Sequence, residues 1–277
     1  MLLSLITSII GIFSNQGSGE YEFKSIYGET VKIYGKGIYQ HNSISMVAQG
    51  KAQDIVTVVL GIPLIIISLT LALKGSLKGR LLLAGTLGYF LYTYISCVFL
   101  WMYNSLFLLY VILMSASFFS FILTMMSFDL ENLNSYFDKR LPVKFIGGFQ
   151  IFFAVALGML WFGKIIPPLM KGTIPLGLEH YNTLVIQGMD LGFIVPVAFV
   201  SGVLILKRRP FGYLLSSIII IKGFTMGTAI TAMIIGQAYA GVQMSFVEMT
   251  MFPIINLVII FCLGLLLKNI NEKIGQY

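Results

Sequence analysis

The sequence predicts an all-α integral membrane protein, a single polytopic domain over residues 1–277 with a bundle of about eight transmembrane helices. Three observations lead to this prediction. Of the 277 residues, 57% are hydrophobic and only 10% are charged, whereas charged residues make up about 25% of an average soluble domain. The mean hydropathy is +0.91. Apolar runs of about 20 residues, the length that crosses a bilayer, recur along the chain.

Eight apolar segments are predicted as helices 1 to 8. They cover residues 2–14, 54–73, 81–103, 106–128, 145–166, 183–206, 211–235 and 246–267. The first segment is short, because about 13 residues rise only about 20 Å along a helix and the hydrocarbon core is about 30 Å thick. We interpret it as a short membrane helix, since Met1 leads directly into apolar residues without the basic segment and cleavage site of a signal peptide.

The positions of the basic residues predict the orientation. With the N-terminus in the cytoplasm, cytoplasmic loops and the tail contain 11 of the 18 Lys and Arg residues: Lys74, Lys78, Arg80, Lys139, Arg140, Lys144, Lys207, Arg208, Arg209, Lys268 and Lys273. The opposite side contains Lys24, Lys32, Lys36, Lys51, Lys164 and Lys171, spread over longer loops. The positive-inside rule therefore predicts a cell-membrane protein of the bacterial inner-membrane type with both termini cytoplasmic. The net charge of +7 is explained by topology, and no nucleic-acid partner is predicted.

One long segment, residues 15–51, lies between helices 1 and 2 on the extracytoplasmic side. Its sequence YEFKSIYGETVKIYGKGIY mixes aromatic and β-branched residues with glycines, which predicts a β-hairpin. We interpret the hairpin as a cap over the helix ends, with a ligand-contacting lid as the alternative. Residues 52–128 then hold the first-half helices, residues 129–144 a cytoplasmic loop, and residues 145–277 the second-half helices.

A weak internal repeat is predicted at an offset of 133 residues. Residues 63–82 align with 196–215 without a gap, and the informative matches are Pro63 with Pro196, Ser68 with Ser201, Lys74 with Lys207 and Gly79 with Gly212. Both copies would run in the same direction through the membrane, which indicates a parallel 4+4 arrangement of the kind found in many carriers. The same offset aligns Thr57 with Asp190, Tyr89 with Lys222, and Asp54 with Gln187.

Three ionisable residues, Asp190, Lys222 and Glu248, lie inside predicted helices. A charge at the bilayer centre costs about 2.5 to 3.5 kcal/mol or more unless it is paired or hydrated, so each is a candidate for substrate or ion binding. Asp190 and Lys222 lie at similar depths in helices 6 and 7 and are predicted to face each other, either as a structural ion pair or as a functional site. For Glu248, near the start of helix 8, an interfacial position is the alternative.

Neutral and weakly acidic groups extend this candidate site. The repeat adds Asp54, Gln187 and Tyr89 as substrate- or ion-binding candidates, because Asp54 corresponds to Gln187 and Tyr89 corresponds to Lys222. Tyr92 and Tyr94 also lie deep in helix 3, and each needs a hydrogen-bond partner, so these tyrosines are candidates to line a cavity. Gly223 and Gly227 give a GxxxG step beside Lys222 where a neighbouring helix can approach closely.

Function is bounded mainly by what the sequence lacks. It contains no P-loop, no GxSxG and no zinc spacing around His41 and His180, so no catalytic residue, metal or cofactor is predicted. The pattern favours a small transporter or channel-like protein that binds, besides lipid, an unknown small molecule or ion. Two alternatives stay open. One is a membrane-embedded enzyme acting on a lipid or isoprenoid at the outer leaflet through the carboxylates and histidines; the other is a non-transporting partner or sensor subunit, and a homo-oligomer is also open.

Overall fold

The computed structural model describes residues 1–272, so Lys273 and the last residues of the predicted second half lie outside the described part. The described chain forms a helical bundle with one small sheet. The helices are α1 (Leu2–Phe13), α2 (Ile44–Leu73), α3 (Leu77–Phe99), α4 (Phe107–Met126), α5 (Val143–Lys171), α6 (Val185–Leu206), α7 (Pro210–Tyr239) and α8 (Phe246–Lys268). The strands are β1 (Tyr21–Lys24) and β2 (Thr30–Ile33).

Helices α2 to α8 are long and apolar enough to cross a membrane, while α1 is not. With 12 residues, α1 is about 18 Å long, well short of the hydrocarbon core. In six of the seven spanning helices, fewer than half of the residues in the apolar window are buried, and in α4 only 17% are buried. Such large exposed apolar surfaces indicate contact with lipid, and the seven helices indicate a multi-pass membrane protein.

The two ends of the bundle differ in character. We call the end that carries the sheet, formed by residues 14–43, 100–106, 172–184 and 240–245, the hairpin end. The opposite end, formed by residues 74–76, 127–142, 207–209 and 269–272, is called the basic end. An apolar core packs between the helices next to the basic end. The most buried side chains of this core include Leu81, Ile146, Ile205, Leu214 and Leu266.

The predicted β-hairpin is confirmed. β1 and β2 pair antiparallel with Tyr21 opposite Ile33 and Lys24 opposite Thr30. β1 is exposed along its length, whereas β2 alternates, with Val31 and Ile33 buried. One face of β2 therefore packs onto the bundle, as expected for a half-buried strand.

Helix α2 begins at Ile44, not near residue 54, so the segment 15–51 predicted between the first two helices was too long. Ser43 caps the helix, since its hydroxyl accepts a hydrogen bond from the Met46 N–H. The first turns carry polar side chains at Ser45, Gln49 and Gln53 that face other helices. These polar residues lower the average hydropathy of the segment, so it was predicted as a loop and the helix start was placed too late.

The segments aligned at an offset of 133 residues share local backbone structure. A π-helical turn at Thr57–Gly61 in α2 precedes Pro63, and one at Asp190–Ile194 in α6 precedes Pro196. A Cβ added at Gly79 or at Gly212 would contact the backbone of the preceding helix in both copies, which explains glycine at both positions. A common origin of the halves and their rotation about the membrane normal stay predictions.

Candidate functional site

A cavity of about 860 Å³ lies between the second-half helices and the walls formed by α2 and α3. Its exposed lining residues lie at the hairpin end or directly beside it in the first turn of α8: Leu176, Gly177, Thr183, Gln243 and Glu248. Its deep lining residues are buried and include Gln150, Ala198, Ile220 and Ile259. The cavity therefore opens at the hairpin end and ends within the bundle, and its size lies within the range of about 300 to 1,000 Å³ for small-molecule sites.

Asp190 stands at the first position of the π-helical turn in α6 and is 8% exposed. The Tyr92 hydroxyl donates a hydrogen bond to its Oδ1 over 2.9 Å, and the indole Nε1 of Trp161 donates to its Oδ2 over 2.9 Å. A buried carboxylate requires such donors, because burial removes its water. Helices α3 and α5 thus hold the carboxylate at the cavity wall.

Lys222 on α7 lines the same cavity and contacts the other face of this arrangement. Its Nζ lies 4.0 Å from the centroid of the Tyr92 ring, a cation–π contact. Its stem passes Gly88 on α3, where an added Cβ would lie 3.6 Å from Lys222 Cγ. Tyr92 therefore links the two charges, with its hydroxyl on Asp190 and its ring beneath Lys222.

The cavity has one polar wall and one aromatic wall. On α2, Ser45, Gln49 and Gln53 are four residues apart and so share one helix face. The Ser45 hydroxyl donates to Gln237 Oε1 over 3.0 Å, and Gln53 Nε2 donates to Thr93 Oγ1 over 2.7 Å. The lining side chains from α5 are mainly apolar: Phe149, Phe153, Leu157 and Trp161. An amphipathic molecule matches these two walls.

Asn256 on α8 adds an unsatisfied polar group to the lining. The side chain is 7% exposed, and its buried Oδ1 has no hydrogen-bond partner within the described part of the chain. It packs against α7 at Gly227, where an added Cβ would lie 2.5 Å from Oδ1, and Ile259 packs at Gly223 in the same way. The close approach predicted for the Gly223 and Gly227 step is thus made by α8.

The structure brings together four of the six predicted site residues. Asp190, Lys222, Gln187 and Glu248 all line the cavity. Glu248 lies at the mouth, where it forms a capping box with Ser245 at the start of α8, so a local structural role also explains it.

Asp54 and Tyr89 lie outside the cavity lining, within the packed first half. The Tyr39 hydroxyl donates to Asp54 Oδ2 over 2.6 Å. Tyr89 Oη and Thr57 Oγ1 are 2.8 Å apart. At the offset of 133 residues, Thr57 and Tyr89 correspond to Asp190 and Lys222, so a neutral hydrogen bond in the first half occupies the place of the charged groups in the second.

The mouth of the cavity is bordered by residues 176–184 rather than by the strands. Tyr181 is buried there, and its hydroxyl donates to Asn42 Oδ1 over 3.2 Å. His180 Nε2 lies 2.9 Å from the carbonyl oxygen of His41. Burial raises the pKa of the nearby Glu179 carboxyl above its ordinary value. Within residues 1–272, no group of three His, Cys, Asp or Glu side chains is arranged to hold a metal.

Sequence reasoning missed Trp161, Gln150 and Asn256. Gln150 forms a buried network in which the hydroxyls of Ser201 and Ser216 donate to its Oε1 over 2.8 and 2.9 Å. The signal was present, because an indole N–H or an amide inside an apolar helix requires a partner. No family model, curated protein or solved structure matches the chain.

Proposed function

We propose that the protein is a small multi-pass transporter that admits a small molecule at the hairpin end and binds it beside Asp190 and Lys222. The observation that carries this proposal is the shape of the cavity. It opens at the hairpin end and reaches two buried opposite charges linked by Tyr92, while an apolar core packs between the helices next to the basic end. A site closed on one side by packed helices is the arrangement expected of one state of an alternating-access carrier.

The π-helical turn of α6 supports the same proposal. It begins at Asp190 and is followed by Pro196, and such turns occur frequently at functional sites. A membrane enzyme that uses both Asp54 and Asp190 is less well supported. Asp54 accepts a hydrogen bond from Tyr39 in the first half of the chain, away from the cavity that Asp190 lines. The alternative of a non-transporting subunit predicts tight packing around the two charges, whereas a cavity lies there.

For the orientation, we propose the cell membrane of a bacterial-type cell, with the hairpin end outside and the N-terminus cytoplasmic. Single cysteines replacing Lys36 and Lys139, in a chain whose Cys97 and Cys262 are changed to serine, would react with a membrane-impermeant thiol reagent from opposite sides. Lys36→Cys should react from outside. Reaction of both from the same side would contradict the proposed topology.

Transport requires that the deep end of the cavity become accessible from both sides. Ile219 lines the cavity, and its neighbour Ile218 belongs to the apolar core. In oriented vesicles, Ile219→Cys should react from the hairpin side and, more slowly, from the basic side, while Ile218→Cys stays protected. Reaction of Ile219→Cys from the hairpin side alone would contradict transport and leave a binding protein.

A further inference from the structure

We infer that the cavity binds an anionic amphiphile, a molecule whose carboxylate or phosphate group accepts hydrogen bonds from Lys222 and whose apolar body lies along the α5 wall. This inference rests on the binding cavity of the proposed transporter and adds the chemical class of the ligand. The juxtaposition behind it is an ammonium group with no hydrogen-bond acceptor among residues 1–272, facing an amphipathic cavity.

The ammonium group of Lys222 has hydrogen-bond donors that the described residues leave open. An ammonium group has three N–H donors, and Lys222 is 8% exposed. Its Nζ lies 4.0 Å from the centroid of the Tyr92 ring, and among residues 1–272 no side chain or carbonyl accepts a hydrogen bond from it. Because Lys222 lines the cavity, an anionic group of a bound ligand can accept charge-assisted hydrogen bonds from these donors.

Asp190 does not accept a hydrogen bond from Lys222. One of its oxygens is bound by the Tyr92 hydroxyl and the other by the Trp161 indole, each over 2.9 Å. Two neutral donors on two helices therefore fix the carboxylate in place. Each charge repels a like-charged ligand beside the other, so the open donors decide: both oxygens of Asp190 already accept a hydrogen bond, whereas an anionic group at Lys222 gains the hydrogen bonds that residues 1–272 leave open.

The apolar lining of the cavity suits the rest of the ligand. Apolar lining side chains come from α5 and α8: Phe149, Phe153, Leu157, Phe252 and Ile255. A hydrocarbon chain or ring buried against them gains about 25 cal/mol for each Å² removed from water.

The chain provides its own reporter for a test. It contains two tryptophans, and both Trp101 and Trp161 line the cavity. A bromine atom inside the cavity would therefore quench the intrinsic fluorescence. Three probes with the same ω-bromoundecyl chain, one ending in a carboxylate, one in an alcohol and one in a trimethylammonium group, would be titrated into the full-length protein in nanodiscs of unbrominated lipid.

We expect the carboxylate probe to quench saturably, while the alcohol gives only the linear quenching that partition into the bilayer produces. Lys222→Met should weaken the saturable binding by at least about tenfold, because it removes the charged donor that the anionic group of the probe binds. Lys222→Arg should retain it. Lys74→Met, at the basic end, is the matched control and should behave as the parent protein does.

The comparison of the three probes on the parent protein keeps the test decisive even where Lys222→Met does not fold. Equal saturable quenching by the acid and the alcohol, selective quenching by the trimethylammonium probe, or no saturable quenching at all would overturn the inference. The anionic group could belong to a lipid headgroup or to an aqueous ligand. Nanodiscs with brominated phosphatidylglycerol or brominated phosphatidylcholine distinguish these two sources. Quenching by the former that depends on Lys222 indicates a lipid headgroup, whereas quenching by the soluble acid alone indicates an aqueous ligand. The two-sided labelling of Ile219→Cys decides transport independently of these results.

Discussion

Replacing Tyr92 with phenylalanine removes one hydrogen bond from the Asp190 carboxylate and keeps the ring beneath Lys222. A hydrogen bond to a charged group contributes about 1.5 to 3 kcal/mol, whereas interhelical hydrogen bonds inside a membrane protein average about 0.6 and reach about 1.7 kcal/mol. The acceptor here is a carboxylate, and the donor lies on another helix at 2.9 Å. We therefore expect Tyr92→Phe to lower the free energy of unfolding by about 1.5 kcal/mol, where the two ranges overlap.

A matched series separates the hydroxyl from the ring. Tyr92→Leu also removes the cation–π contact with Lys222, which contributes about 2 kcal/mol when desolvated, so the total loss should be about 3 kcal/mol or more. Tyr103→Phe is the control, because Tyr103 is 76% exposed, and it should change nothing. Unfolding by SDS in mixed micelles, followed by circular dichroism, measures all three variants.

Measuring Tyr92→Phe in an Asp190→Asn background tests whether the Tyr92 hydroxyl acts through the Asp190 carboxylate. With a neutral acceptor, the cost of Tyr92→Phe should fall to about 0.5 to 1 kcal/mol. An equal cost in both backgrounds would mean that the Tyr92 hydroxyl acts through another partner. Unchanged stability of both Tyr92→Phe and Tyr92→Leu would refute the placement of Tyr92 between the two charges.

Three further predictions use the same unfolding measurement. Asp190→Asn and Lys222→Met should each lose more stability than the double variant, because one uncompensated buried charge costs about 3 to 5 kcal/mol; a single variant as stable as the parent would show that the two charges are not coupled. Gly85→Ala should cost about 1 to 3 kcal/mol, because its Cβ would lie 2.5 Å from an isoleucine Cγ2 of α7, whereas Gly88→Ala should be neutral or stabilising by up to about 1 kcal/mol, and equal effects would contradict the close packing of α3 on α7. Ser245→Ala should lower stability by about 1 kcal/mol by removing the cap of α8 and should leave quenching by the carboxylate probe unchanged; loss of that quenching would extend the binding site to the mouth.

The helices could be predicted well because a long apolar segment in lipid has one solution, a helix whose backbone groups bond to each other. The start of α2 was the exception. Its first turns contain Gln49, whose Nε2 donates to Gln237 Oε1 over 3.3 Å. A window average of hydropathy carries no direction, so a polar side chain that faces another helix counts the same as one that faces water.

The site could be predicted only where charge marks it. Asp190 and Lys222 were found because an ionisable group in an apolar helix needs a physical reason. Trp161 is neutral and lies 29 residues before Asp190, so no spacing in the chain connects the two. Asp54 was placed at the site through its alignment with Gln187, but its partner Tyr39 belongs to an irregular segment whose path depends on the folded bundle.

The polar start of α2 has a consequence for biogenesis. Amide side chains disfavour transfer of a helix from the translocon into lipid on its own, and Ser45 finds its partner in Gln237, which the ribosome adds 192 residues later. The first turns of α2 are therefore expected to settle into the bilayer only after α7 has been synthesised. Nascent chains stopped before α7 should leave residues 44–53 open to an externally added protease, and chains released after α8 should protect them.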